Sequence, residues 1–276
     1  VCIIFLMMPL LFYMYGLSYK QTFSTSDVVS YNYKVRAIGS NISLERFYSN
    51  TDPVLVIKDL IEISEPIKNE KTIFVWPEGI LPEISQKELF EYKWLFEKRF
   101  DKNHLLLIGI NNQTTNKESI NYFNSLSIYD HNLELLNFYN KVDLVPFGEF
   151  LPFEDKLKAL GLRSITNNYQ SFSKGNIREI MEINREGFSI KILPLICYEI
   201  IYSGKIFSNS NFDLIINISE DGWFGKSIGP KQHFAHSIFR AVESGKYLLR
   251  SANNGIAAII NPLGIVEQKV ELGKSG

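Results

Sequence analysis

Ser189-Ile190-Lys191-Ile192-Leu193-Pro194-Leu195-Ile196-Cys197-Tyr198-Glu199 begins as an apolar run of strand length and stops on a thiol. Cys197 therefore stands where a strand ends and the chain turns. Two readings are open. Free cysteine is among the most buried residue types and often does no more than pack. A strand-end thiol can instead face a pocket, with the amide of Tyr198 free to stabilise an oxyanion. Little of a free thiol is ionised at neutral pH, so the second reading requires a base elsewhere in the chain.

Glu78 is the candidate, in Trp76-Pro77-Glu78-Gly79 directly after the short buried strand Ile73 to Val75. Its plain reading is a solvated turn carboxylate. Trp76 and Pro77, however, make an apolar collar, and desolvation there raises a carboxyl pKa and suits it to shuttling a proton. Lys141 enters Val142-Asp143-Leu144-Val145-Pro146-Phe147-Gly148-Glu149-Phe150, a stretch poor in charge. Most lysines solvate a surface; in such a stretch an ammonium must be paired or aimed at developing negative charge. Glu149 is its candidate partner.

Around these residues strands and helices alternate. Tyr33 to Ile38 reads as a strand, and Pro53 to Ile63 as a helix with Val54, Ile57, Leu60 and Ile61 at helical spacing. A helix is expected over Gln86 to Phe100 and a strand over His104 to Ile110. Tyr122 to Tyr129 and Leu133 to Tyr139 flank Asp130-His131-Asn132, the composition of a hairpin turn. Beyond Cys197 come a strand over Phe212 to Ile218, a helix over Lys231 to Gly245, and strands over Tyr247 to Ser251 and Ile256 to Ile260, with Asn253-Asn254-Gly255 as a turn. The fold class is α/β, with mixed sheets packed between helical layers. Gly161 to Asn176, rich in Ser, Asn and Gly, is expected to be a lid or binding loop.

Val1 to Tyr19 carries no charge. About 20 apolar residues cross a bilayer, so residues 1–19 are expected to form a transmembrane helix, residues 20–32 a linker and residues 33–276 the catalytic domain. The 29 basic and 30 acidic residues nearly cancel without long runs, which removes the electrostatic footprint of nucleic-acid binding. Cys2 and Cys197 lie in segments too different to bridge, and no Cys/His cluster has zinc-ligand spacing. His233 and His236 are read as helix packing and capping. No metal or cofactor is expected.

The ordered set of Glu78 after a strand, Lys141 before a Pro-Phe-Gly-Glu loop, and Cys197 in Ile-Cys-Tyr-Glu resembles the nitrilase superfamily from about Lys34 onward. Trp76-Pro77-Glu78, Val145 to Pro152, Phe172-Ser173-Lys174-Gly175, Cys197-Tyr198-Glu199 and Asp221-Gly222-Trp223-Phe224-Gly225 are similar to its apolipoprotein N-acyltransferase branch. The resemblance implies a nitrilase-like αββα four-layer sandwich preceded by one transmembrane helix, with a Glu78-Lys141-Cys197 triad. It implies that Glu149 orients Lys141, that Tyr198 and Glu199 support the pocket, and that Trp76, Phe147 and Trp223 meet substrate. The implied reaction moves an acyl chain from a phospholipid, through a Cys197 thioester, to the amino terminus of a diacylglyceryl apolipoprotein. Its implied place is the bacterial inner membrane, with the domain facing the periplasm. A nitrilase-type amidase and an inactive membrane-anchored fragment remain as alternatives.

Overall fold

The computed structural model describes residues 2–25, 31–115, 120–153, 171–185, 187–204 and 211–276. The chain divides into two units, Val1–Asn32 and Tyr33–Gly276. The first holds helix α1 (Cys2–Thr25). Its large apolar side chains between Phe5 and Leu17 are exposed, and Ser18, Lys20, Gln21 and Thr22 follow them. Among the described residues no helix is long and apolar enough to cross a membrane. They do not by themselves supply the spanning helix expected over 1–19.

The second unit is built on two sheets. One runs in the order β1 (Lys34–Ala37), β3 (Thr72–Val75), β5 (His104–Thr115), β6 (Ile120–Asp130) and β7 (Leu135–Asn140), with β4 (Leu81–Ser85) also paired to β5. Its β1-β3-β5 part is parallel and its β5-β6-β7 part antiparallel. The other runs β13 (Val266–Val270), β12 (Ala257–Ile260), β11 (Tyr247–Asn253), β10 (Leu214–Glu220), β9 (Phe188–Ile196) and β8 (Met181–Arg185), with β2 (Gly39–Ser40) on β11. Here β10 is parallel to both of its neighbours.

Successive side chains on a strand point to opposite faces, so a strand covered on both sides is apolar throughout. On β3, Phe74 joins a core with Ile57, Leu60 and Ile61 of helix α2 (Pro53–Ser64). Ile73 and Val75 enter a second core between the sheets, together with Ile190, Ile192 and Ile196 of β9. Leu193 and Leu195 of β9 face a third core, which Ala241 enters from the long C-terminal helix Gly229–Ser244. The layers are helix, sheet, sheet, helix. Helix α2 starts where Asp52 Oδ1 accepts from Val54 N at 2.9 Å and Pro53 presets the first turn.

The helix expected over Gln86 to Phe100 is broken into a 3₁₀ segment, Glu88–Tyr92, and one α-turn, α3 (Lys93–Phe96). In 3₁₀ geometry residues three apart eclipse, which brings Leu89 and Tyr92 to the same core. The helix Gly229–Ser244 is α4 below. Of the expected lid, only 171–176 lie within the described residues.

Candidate active site

The loop after β3 carries Glu78 across the middle of β5, close enough that only glycine fits beneath it. A Cβ on Gly109 would stand 2.3 Å from the Pro77 carbonyl oxygen and 2.6 Å from Glu78 Cα. Gly109→Ala is therefore expected to push Glu78 out of place, destabilise the protein by about 1–3 kcal/mol and slow any reaction that uses Glu78. Urea denaturation checks the first effect and a Cys197 alkylation rate the second.

Strand β7 delivers Lys141, whose N–H donates to the Asn124 carbonyl at 2.9 Å and whose own carbonyl accepts from Gly175 N at 2.8 Å. The Lys141 ammonium, 1% exposed, lies 2.9 Å from Glu149 Oε1 and 3.3 Å from Glu78 Oε1. Asn124 Nδ2 donates to the same two oxygens, at 2.9 Å and 2.7 Å respectively. Glu78 Oε2 accepts from Glu220 N at 2.9 Å, and Glu149 Oε2 from Val145 N at 2.9 Å.

One buried cation thus faces two buried carboxylates, and the imbalance sets the titration. Burial raises the Glu78 pKa above the ordinary carboxylate value; Glu149 adds to the rise, and Lys141 and Asn124 oppose it. For Lys141, burial alone favours the neutral amine, but Glu149 and Glu78 outweigh it and hold the pKa well above the usual lysine value. Glu78 is consequently the group able to exchange a proton while Lys141 stays charged.

Cys197 sits at the end of β9 with φ at +47°, a left-handed backbone that non-glycine residues adopt only when their surroundings impose it. Glu199 supplies part of that constraint. Its Oε2 accepts from Ile196 N at 2.8 Å. Its Oε1 accepts from Tyr139 Oη at 2.6 Å, Val142 N at 2.9 Å, Asp143 N at 3.1 Å and Arg178 at 2.8 Å. One fully buried carboxylate so ties the Cys197 turn to the segment bearing Lys141. Burial first, and then the Glu78 carboxylate, hold the Cys197 thiol well above its ordinary pKa, with Lys141 opposing them. The resting group is a thiol that needs a base.

Glu78, Lys141, Glu149, Cys197, Tyr198 and Trp223 line one cavity of 640 Å³, bordered by Phe224 and Ile228. Trp76 is not among them. Strand alternation turns it with Phe74 toward α2, where it is buried, donates to Ser64 Oγ at 2.9 Å and packs on Phe96. Phe147 is exposed, at φ +63°, in the loop that carries Glu149. Asn124, Arg178, Glu220 and Arg46, the last two buried and paired with each other, were not expected from sequence. Each acts through a partner tens of residues away, which no local pattern reveals. Among the described residues no group of His, Cys, Asp and Glu could hold a metal ion.

The carbon-nitrogen hydrolase family model matches residues 53–274. The chain belongs to the carbon-nitrogen hydrolase family. It is 32% identical over 88% of its length to an apolipoprotein N-acyltransferase of Bradyrhizobium diazoefficiens, covering 47% of that protein. It is 36% identical over 86% of its length to one of Wigglesworthia glossinidia brevipalpis, again covering 47%. The chain spans about half the length of these curated relatives. Among solved structures, an amidase from Nesterenkonia sp. AN1, with the acetamide moiety of fluoroacetamide added covalently at its active-site cysteine, superposes with TM-score 0.55 at 15% identity, covering 91% of each chain. The glutamine-dependent NAD+ synthetase of Acinetobacter baumannii gives TM-score 0.61 at 16% identity over 88% of this chain and 44% of its own. These likenesses show the carbon-nitrogen hydrolase fold.

Proposed function

We propose that this carbon-nitrogen hydrolase family member is an N-acyltransferase that moves an acyl chain from a phospholipid to the terminal amine of a diacylglyceryl apolipoprotein. The observation that carries the reading is the convergence of Glu78, Lys141 and Cys197 on one cavity with an apolar border. The names of the curated relatives direct it toward lipoprotein substrates. Glu78 takes the Cys197 proton, and the sulfur attacks the ester carbonyl. Its oxygen becomes an oxyanion facing Lys141 and the Tyr198 N–H.

Two of the three ammonium hydrogens of Lys141 serve Glu149 and Glu78, which leaves one for the oxyanion. Tyr198 lies in the first turn of the 3₁₀ segment Cys197–Ile201, where a backbone N–H has no intrahelical acceptor. Collapse forms the thioester and breaks the ester C–O bond, and Glu78 returns its proton to the departing lysophospholipid oxygen. The acceptor amine then attacks the thioester, Glu78 takes the amine proton, and the sulfur leaves and is reprotonated. No cofactor enters, since the acyl group arrives as an ester.

The apolar part of α1 would hold the chain at the inner membrane, with 33–276 as the catalytic domain on the periplasmic side. A helix apolar on every face is suited to lipid rather than to water, and exposed Phe5, Leu6, Leu11, Phe12 and Leu17 have that character. Intact-mass spectrometry of the detergent-solubilised chain after incubation with phospholipid vesicles tests the reading. The expected result is an acyl-sized mass increase on Cys197 that hydroxylamine removes. An acyl adduct on another residue overturns the mechanism. A Cys197 that reacts with iodoacetamide yet takes no acyl group overturns the substrate.

A further inference from the structure

His233 belongs to α4, 36 residues beyond Cys197 in sequence, yet it lines the same cavity and is buried against the nucleophile. Its Nε2 lies 3.1 Å from the Cys197 carbonyl oxygen and its Nδ1 2.8 Å from Asp221 Oδ1. Asp221 is itself fixed: Arg250 Nη2 donates to both of its oxygens at 2.8 Å, and Ser219 Oγ to Oδ1 at 2.7 Å. Arg250 is held in turn by Asn217. A Cβ on Gly255 would reach Asp221 Oδ2 at 2.3 Å, so the carboxylate has no room to retreat. The imidazole is clamped between an immobile anion and one carbonyl.

That carbonyl shares a rigid, planar peptide unit with the Tyr198 N–H, which points the opposite way. Fixing the oxygen therefore fixes the direction of the N–H, directly after Cys197, whose left-handed φ of +47° needs such restraint. We infer that His233 is a positioning residue that aims the Tyr198 N–H at the oxyanion by holding the Cys197 carbonyl. The inference rests on the acyl-transfer reading above. Burial and the Arg250 guanidinium hold the His233 pKa below its ordinary value. The bond to Cys197 requires hydrogen on Nε2: the imidazolium has it and donates from Nδ1 to Asp221 as well, the neutral Nε2–H tautomer has it with Nδ1 accepting from Arg250 Nη2 at 3.2 Å, and the Nδ1–H tautomer lacks it.

Two reactions of the same thiol separate this role from general support. Acylation by p-nitrophenyl butyrate passes through a tetrahedral oxyanion, whereas alkylation by iodoacetamide displaces iodide and forms none. In His233→Ala, acylation is expected to fall by about 10²-fold, the scale of a lost oxyanion donor, while alkylation stays near the wild-type rate. His233→Gln, which keeps a side-chain donor, is expected to lie between, and it decides the matter if the alanine variant does not fold. Equal loss in both reactions, or an unchanged ratio of the two rates in the folded variants, overturns the inference. A wild-type protein that alkylates but takes no acyl group overturns the acyl-transfer reading itself, and the inference with it.

Discussion

Lys141→Met is expected to slow acyl transfer by at least about 10²-fold and to lower stability by about 3–5 kcal/mol at neutral pH, the range for removing one partner from a buried charge cluster. Methionine fills most of the lysine volume, so the loss is electrostatic. Without the ammonium, Glu78 and Glu149 face each other across Asn124 Nδ2 alone. Burial already raises Glu78, and Lys141 is the leading influence opposing that rise, so the variant's folded-state carboxyl pKa moves further above its unfolded value.

The sign follows from linkage. A carboxyl whose pKa is raised by folding contributes stability that is complete below the unfolded pKa and is lost as pH rises through the folded one. The stability deficit of Lys141→Met relative to wild type should therefore grow between about pH 5 and about pH 8. Urea denaturation of both proteins at the two pH values measures it. A deficit that is flat, or that shrinks as pH rises, contradicts the charge assignment. The catalytic loss has a separate source, the missing oxyanion donor, worth about 10²- to 10³-fold by itself.

The buried strands were legible because packing writes a signal into every residue. Over Ile73 to Val75 of β3 and Ile192 to Ile196 of β9 both faces meet a core, so these runs are apolar without gaps. The residues after those strands were legible for the complementary reason: a Glu or a Cys directly behind such a run stands out. The alternation that builds β3 also places Trp76 with Phe74, facing α2, whereas composition alone groups it with Pro77 around Glu78. Strands β8 and β13 were missed because they are edges, with exposed residues at Glu182 and Asn184 on one and from Glu267 to Lys269 on the other. Asn124 was missed because its meaning lies in distance: its two carboxylate partners are 46 and 25 residues away. The same holds for Arg46 and Glu220, 174 residues apart.

Glu78→Gln separates the base from its scaffold. The substitution keeps the shape of the side chain, and Lys141 retains Glu149 at 2.9 Å, so the fold is expected to persist while the acylation rate falls by about 10²- to 10⁴-fold, the usual contribution of a positioned base. Alkylation should fall as well, because the Cys197 thiol, held well above its ordinary pKa, has lost its proton acceptor. This distinguishes the variant from His233→Ala, in which only acylation suffers.

The pH profile carries the sharper test. Glu78 works as a base only when deprotonated, and burial raises its pKa. Wild-type acylation should therefore decline as pH falls through a value above the ordinary carboxylate range, and Glu78→Gln should lack that acid limb. The comparison needs the acylation rate of each protein from acid to neutral pH. An acid limb that survives in Glu78→Gln would assign the proton transfer to another group, and Glu149, 2.9 Å from the same ammonium, would be the next residue to replace.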